Sequence, residues 1–152
     1  MTNKYFSLTD VMDALRKVVA NQGEENVYKT PSASSYPGLC VYVEQDEEQR
    51  ILKPSCVVGH VLWALGVPLD KFNMTGNAKS VCYSLSDYGY FFDPNAIEVL
   101  QIAQLIQDHG VGEMTHGNRC TYCRMRESGP MTWGRALEAA EVRARLLGWT
   151  DE

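Results

Sequence analysis

Two cysteines and a histidine with the spacing of metal ligands lie in one short segment, residues 109–123 (HGVGEMTHGNRCTYC). Cys120 and Cys123 are separated by two residues, which lets both sulfur atoms bind one zinc ion, and His116 can supply a third ligand. Strong zinc signatures carry two such cysteine pairs, and this chain has one. The segment therefore predicts a zinc knuckle, with an ordinary loop that contains two free thiols as the alternative.

The fourth ligand of such a zinc site is open. His109 is the nearest candidate in the chain, and Cys82 and Cys40 are candidates if folding brings a distant thiol to the metal. The sequence does not choose between these three residues. A thioredoxin-like redox pair is not favoured, because no βαβ pattern surrounds the two cysteines.

The same segment is locally basic. Between His116 and Arg126 it contains no acidic residue, and its basic and aromatic side chains are Arg119, Tyr122, Arg124 and Arg126. Arginines bind phosphates and an aromatic ring can stack on a base, so a second hypothesis is a nucleic-acid contact. The whole chain counts against it, because 14 basic and 19 acidic residues give a net charge of -5. The structural alternative is a solvated loop.

Cys56 and His60 form a second candidate site. They are four residues apart at the predicted start of a helix, so both lie on one helix face. A helix N-terminus lowers the pKa of a thiol, and the pair predicts a cysteine-dependent enzyme as a further alternative. However, Val57, Val58 and Val61 surround Cys56 with apolar side chains. We therefore expect Cys56 to be buried and unreactive.

Other patterns that carry chemistry are weak or missing. Five aromatic residues precede a buried helix and predict either a pocket for a planar ligand or a part of the core: Tyr83, Tyr88, Tyr90, Phe91 and Phe92. The GxSxG, HExxH and GxGxxG motifs do not occur. Since no acid, base and nucleophile set is assembled, the sequence favours a protein that is not an enzyme.

Five helical segments must position these residues, and three of them have clear start or stop signals. Ser7 and Asp10 have the spacing of a capping box, Gly23 and Gly66 are helix stops, and Asp93 with Pro94 is a strong start. The predicted helices span residues 7–23, 54–65, 77–85, 93–109 and 132–147.

The fourth helix is the most apolar of the five, and we expect it at the centre of the fold. Its predicted buried residues include Leu100, Ala103 and Ile106. A narrow polar stripe is left for solvent, and it consists of Glu98, Gln101, Gln104 and Asp108.

The remaining regular structure is a predicted hairpin, with strands at residues 39–43 and 51–52 and an acidic tip at residues 44–48. A chain of 152 residues with 45% hydrophobic residues has the size and composition of one domain. We therefore predict a single compact domain over residues 1–152, mainly helical α+β, with about five helical segments around a small β-hairpin. Residues 110–130 are an irregular segment that contains the cysteines and histidine described above.

Three pieces of the sequence together resemble a group of small proteins from actinobacteria and their phages. They are residues 56–62 (CVVGHVL) with 66–68 (GVP), residues 103–110 (AQLIQDHG), and residues 133–137 (WGRAL) with Ala140. In that group the tryptophan element closely follows the Gln-Asp-x-Gly element, whereas here residues 111–130 lie between them and look like an insertion. The resemblance implies a phage or actinobacterial origin and no particular chemistry.

The leading functional hypothesis is a non-enzymatic accessory protein, phage-encoded, that binds a host protein. The first residues lack the pattern of a secretory signal and no apolar run reaches the about 20 residues that cross a bilayer, so we expect a cytoplasmic protein without membrane contact. Five cysteines favour free thiols or metal ligands over a disulfide framework. The only cofactor that the sequence suggests is zinc, bound by the cysteines and histidines of residues 109–123.

Overall fold

The structure is a computed structural model of the chain, and it describes residues 3–28, 41–48, 50–73, 76–108 and 131–150. These residues form five α-helices, four short strands and one 3-10 turn. The helices are α1 (Leu8–Gln22), α2 (Val57–Ala64), α3 (Ala78–Ser86), α4 (Pro94–Asp108) and α5 (Trp133–Leu146). The strands are β1 (Lys4–Phe6), β2 (Val43–Gln45), β3 (Ile51–Pro54) and β4 (Tyr90–Phe92), and the 3-10 turn is Leu69–Lys71. The predicted mainly helical α+β fold is confirmed.

Side-chain caps begin α1, α3 and α5 at the predicted places. The Ser7 hydroxyl accepts a hydrogen bond from the Asp10 backbone N–H (3.1 Å), and the Asp10 carboxylate accepts one from the Ser7 N–H (2.9 Å), which completes a capping box. The Asn77 and Thr132 side chains cap α3 and α5 by accepting hydrogen bonds from the backbone N–H groups of Ser80 and Arg135. Helix α1 ends at Gly23, whose φ of 102° is a conformation that suits glycine.

The start of α2 differs from the prediction. Residues 54 and 55 were expected to open this helix, but Pro54 is the last residue of β3 and Cys56 is the N-cap of a helix that begins at Val57. The Ser55 backbone N–H donates to the carbonyl oxygen of Tyr42 (3.0 Å), which keeps the chain extended beyond the hairpin. The long-range hydrogen bond therefore overrides the local helix signal of the proline.

The predicted hairpin is present and is formed by β2 and β3, which pair antiparallel with an irregularity between Glu44 and Gln45. Its acidic stretch begins inside β2 rather than in the turn, because Glu44 lies opposite Lys53 on β3 and forms an ion pair with it (3.5 Å). Asp46 closes the turn by accepting hydrogen bonds from Arg50. Residues 39 and 40 of the predicted first strand lie outside the described residues.

A second small sheet was not predicted. Strands β1 and β4 pair in parallel, with Tyr5 opposite Phe91. The two rings stack with centroids 5.1 Å apart, and Phe6 packs on Phe92 in the same sheet. The aromatic run thus contributes a strand and part of the packing rather than a ligand pocket. Its other members, Tyr83 and Tyr88, are 58% and 44% exposed.

Helix α4 is the structural centre, as its apolar sequence predicts. It packs against α1, α2, α3 and α5. Leu100, Ala103 and Ile106 are fully buried. The cores of all five helices therefore share one apolar cluster around α4.

The predicted polar stripe of α4 needs one correction. Gln104 was assigned to the solvent side, but it is only 4% exposed, and Gln107 is completely buried. A buried amide is costly unless it is hydrogen-bonded. Both side chains satisfy this condition, since their partners are the first residues of neighbouring helices.

Candidate binding groove beside His60

Two glutamines of α4 hold the starts of α2 and α3. The Oε1 atom of Gln107 accepts a hydrogen bond from the Val57 N–H (2.7 Å), and the Oε1 atom of Gln104 accepts one from the Ala78 N–H (2.7 Å). These N–H groups belong to the first turns of their helices, where no intrahelical acceptor is present. The Nε2 atom of Gln104 also donates to the Tyr42 hydroxyl (2.7 Å). Helix α4 therefore positions the start of α2 through a buried hydrogen bond.

Close packing on the hairpin fixes the first turn of α2. A Cβ atom at Gly59 would overlap with the backbone carbonyl oxygen of Tyr42, so only glycine allows this approach. Cys56 is completely buried, which confirms the expected burial, and its Sγ atom accepts a hydrogen bond from the Gly59 N–H (3.4 Å). The thiol is thus part of the helix cap.

His60 lies one turn further along α2 and is half-buried. Its Nδ1 atom is 3.0 Å from the backbone carbonyl oxygen of Cys56. A carbonyl oxygen can only accept, so this hydrogen bond places the imidazole proton on Nδ1. In the neutral ring, Nε2 is then a hydrogen-bond acceptor. The ring also meets Trp133 of α5 edge to face, with centroids 5.1 Å apart.

The neutral form of His60 is favoured by its surroundings. Burial lowers the pKa of His60 below its ordinary value of 6.5, and the positive charge of Lys53 lowers it further. The backbone carbonyls of Cys56 and Ser55 act in the opposite direction and only partly compensate. We therefore expect an uncharged imidazole at neutral pH.

A groove with a volume of about 520 Å³ lies beside this histidine. Its walls come from the end of α1, the residues that follow α1, the hairpin, α2 and α5. The lining side chains with aromatic or ionisable character are Tyr28, Glu44, Lys53, His60, Trp63 and Trp133. The volume falls in the range of about 300 to 1,000 Å³ that is typical of ligand sites.

Trp63 is the most conspicuous member of this groove. It lies three residues after His60 on the same face of α2, and 55% of its surface is exposed. Trp133 has the opposite character, since it is only 1% exposed and its indole N–H has no hydrogen-bond partner among the described residues. The groove thus combines an exposed indole at its edge with a buried one.

The two charged side chains of the groove have opposite signs and lie next to each other. Glu44 and Lys53 form the cross-strand ion pair of the hairpin, and their side chains are 35% and 64% exposed. An ion pair at such exposure contributes about 0 to 1 kcal/mol to stability. Its main effect on the groove is to neutralise the two charges.

The cysteine and histidine proposed as an enzyme site lie one helical turn apart. The Cys56 Sγ atom accepts a hydrogen bond from the Gly59 N–H, and Nδ1 of His60 bonds to the Cys56 carbonyl oxygen. His60 also contacts the ring of Trp133. Activation of a thiol needs a hydrogen bond from the thiol to the imidazole, and the enzyme reading stays a prediction from the sequence.

The predicted zinc ligands His109, His116, Cys120 and Cys123 lie outside the described residues, as does Cys40. Of the proposed fourth ligands, Cys82 is described, and burial raises the pKa of its thiol to about 12. Where the chain is described, no three His, Cys, Asp or Glu side chains form a metal-binding group.

The predicted nucleic-acid contacts Arg119, Tyr122, Arg124 and Arg126 also belong to the part of the chain that the structure does not describe. With respect to membranes, no described helix is long and apolar enough to cross a bilayer.

Sequence reasoning found His60 but missed the rest of the groove. Trp63 carried a usable signal, because it is a large aromatic residue off the apolar face that Val57, Val58 and Val61 define. Glu44 and Lys53 carried no such signal, since their pairing depends on the register of the hairpin.

A comparison of this chain with protein-family models, with curated proteins and with solved structures found no match. The groove is therefore interpreted from its own geometry.

Proposed function

We propose that the chain is a non-enzymatic accessory protein that acts by binding a host protein through the groove beside His60. The observation that supports this function best is the half-exposed indole of Trp63 at the edge of a groove of ligand size. Tryptophan is among the residues that most often dominate protein interfaces, because it covers a large apolar area at low entropic cost. Exposure of this apolar ring to water is unfavourable, and a partner that covers the ring removes this cost.

The same proposal includes a phage origin and action in the host cytoplasm. Its support is the resemblance of three sequence pieces to small proteins of actinobacteria and their phages. Those pieces contact one another: Gln107 of the second bonds to Val57 of the first, and Trp133 of the third packs against His60 of the first. His60 of the first piece and Trp133 of the third line the groove, and this supports a shared binding role.

The test is capture of a partner from an actinobacterial lysate, with two matched variants. Trp63→Ala removes the exposed indole of the groove, and Tyr83→Ala removes a ring of similar exposure (58%) on α3, outside the groove lining. We expect a stoichiometric host protein with the wild type and with Tyr83→Ala, and its loss with Trp63→Ala.

Two results would contradict the proposal. The first is equal capture by Trp63→Ala and the wild type, and the second is repeated recovery of no host protein by any of the three proteins. Circular dichroism of each variant checks that the fold is kept, because an exposed side chain is expected to contribute little to stability.

A further inference from the structure

We infer that the groove receives one aromatic side chain of the partner that carries a hydrogen-bond donor, a tyrosine or a tryptophan, with the donor bound to Nε2 of His60. This inference rests on the proposed function and names the group of the partner that is recognised. Three features of the groove carry it: an acceptor whose tautomer is set by a backbone hydrogen bond, the exposed ring of Trp63, and two charges of opposite sign.

The acceptor is defined by the backbone. Because the Cys56 carbonyl oxygen holds the proton on Nδ1, the neutral ring of His60 offers only Nε2 to a ligand, and Nε2 can only accept. A ligand group that meets it needs an O–H or N–H. A carboxylate or a carbonyl oxygen in the same place would leave two acceptors facing each other.

The surface beside this acceptor suits a flat apolar group. Trp63 is 55% exposed and supplies most of the open aromatic surface, while Tyr28 and Trp133 line the same space but are buried. Aromatic rings pack on one another in offset or edge-to-face arrangements, and such pairs are favourable beyond the area that they bury. A phenol or an indole supplies both the ring and the donor that the groove can satisfy.

The charges of the groove disfavour an ionic ligand. Glu44 and Lys53 face each other 3.5 Å apart, so neither offers an unopposed charge. A cationic or an anionic ligand would meet one like and one unlike charge and would gain no net attraction from the pair. Placing an unpaired charge in a partly buried site is expensive, whereas an uncharged aromatic group pays no such cost.

The first experiment measures the tautomer of His60 directly. Long-range nitrogen NMR of the full chain at about pH 7.5 distinguishes a ring protonated on Nδ1 from one protonated on Nε2. We expect the proton on Nδ1. A ring protonated on Nε2 at this pH would overturn the inference, because the groove would then offer a donor.

The second experiment compares two probes that differ by one hydroxyl, N-acetyl-tyrosinamide and N-acetyl-phenylalaninamide. Dissociation constants come from the shifts of the Trp63 indole N–H signal during titration. We expect tyrosinamide to bind about 3- to 10-fold more tightly, which is what one neutral hydrogen bond supplies. Equal affinities, or no saturable shift with either probe, would overturn the inference.

Variants separate the contributions. His60→Ala should remove the preference for tyrosinamide, Trp63→Ala should weaken both probes, and Tyr83→Ala should change neither. Because His60→Ala also removes the contact with Trp133, a second measurement uses the wild type at a pH below the pKa of His60. Protonated Nε2 is a donor and an indole N–H cannot accept, so N-acetyl-tryptophanamide should bind more weakly there than at pH 7.5, while phenylalaninamide binds as before. A preference for tyrosinamide that persists in His60→Ala, together with an affinity for tryptophanamide that does not change with pH, would overturn the role of His60.

This inference and the proposed function can fail separately. Capture of a host protein that depends on Trp63, together with equal affinity for the two probes, would keep the function and overturn the recognised group. A preference for tyrosinamide without any captured host protein would support the recognition chemistry and contradict the host partner. Saturation of the groove by a second copy of this chain, seen as concentration-dependent dimers that Trp63→Ala abolishes, would overturn both.

Discussion

At the scale of single residues, the buried amides of Gln104 and Gln107 are the least expected feature of the molecule. Each side chain accepts a hydrogen bond from an N–H group at the start of another helix. The starts of α2 and α3 therefore depend on residues that are far away in the chain. Removal of such an amide leaves a buried donor without an acceptor, which costs more than the net value of the bond.

Gln107→Ala should lower the free energy of unfolding by about 1 to 3 kcal/mol, because the Val57 N–H loses its acceptor in a buried place. Gln101→Ala is the matched control on the same helix, and we expect a change within about 0.5 kcal/mol for this partly exposed residue. Urea denaturation of both variants measures the difference. Equal stability of the two variants would show that the amide of Gln107 does not hold α2.

Gly59→Ala should destabilise the protein although alanine is the better helix former. The helix propensity favours alanine by about 0.8 to 1 kcal/mol. The new methyl group would overlap with the Tyr42 carbonyl oxygen, and overpacking of this kind costs about 1 to 3 kcal/mol or more. Gly134→Ala is a milder comparison, since its Cβ atom would lie 2.9 Å from the Glu24 carbonyl oxygen. Thermal unfolding of both should rank Gly59→Ala as the less stable variant, and the reverse order would contradict the close approach.

His60 makes stability depend on pH in a defined direction. Its folded pKa is lower than that of the unfolded chain, so the unfolded chain takes up a proton first as the pH falls. The free energy of unfolding should therefore decrease as the pH falls below about 6.5, and this loss should level off below the folded pKa. His60→Gln should flatten this part of the profile. NMR titration of His60 gives the folded pKa, and a value above 6.5 would contradict the sign.

At the scale of elements, α4 organises the molecule because four other helices pack on it. Its buried positions cover most of its circumference, as the sequence pattern predicts, and they include Gln104 of the expected solvent stripe. Helix α5 adds an ion pair to this packing, between Arg143 and Glu98 of α4. The element is thus held by apolar packing and oriented by a few polar contacts.

Leu100→Ala tests the central position of α4. Leu100 is completely buried, and truncation of a buried leucine costs about 2 to 5 kcal/mol. Leu105→Ala removes the same atoms from the same helix at a residue that is 41% exposed, so we expect a much smaller loss. Denaturant unfolding compares the two variants, and a loss below about 0.5 kcal/mol for Leu100→Ala would mean that this helix does not form the core.

The segment at residues 110–130 carries the zinc prediction, which stays a prediction. We expect about one zinc per chain in protein purified without chelator, with Cys120, Cys123 and His116 as ligands. Thiol and imidazole ligands must lose protons to bind, so zinc affinity should fall as the pH drops below neutral. Cys120→Ser with Cys123→Ser should release the metal and keep the helical signal in circular dichroism. Metal analysis near zero for the wild type would reduce the segment to a loop with two free thiols.

At the scale of the whole molecule, the groove is an assembly of separate parts of the chain. Tyr28 follows α1, Glu44 and Lys53 come from the hairpin, Trp63 comes from α2, and Trp133 begins α5. The chain after α1 also reaches α5 through backbone hydrogen bonds, including one from the Trp133 N–H to the Asn26 carbonyl oxygen (2.8 Å). Loss of any one of these contacts is therefore expected to change the groove.

The sequence alone determined the local features of this protein. Ser7 with Asp10, Asn77, Thr132 and Gly23 mark helix ends through bonds that span a few residues, so their signals are readable in the chain. The burial of Leu100 and Ile106 follows from helical periodicity, which is also local. Cys56 and His60 share a helix face for the same reason.

Only the tertiary structure decided where distant residues meet. The parallel pairing of β1 with β4, the bond from Val57 to Gln107, and the ion pair of Glu44 with Lys53 depend on register and packing. A glutamine has the same polar side chain on a solvent stripe and inside a core, and the available donors decide which place is favourable. The groove also depends on tertiary structure. Its acceptor on His60, its exposed indole on Trp63 and the charges of Glu44 and Lys53 come from α2 and the hairpin, which meet only when the chain packs around α4.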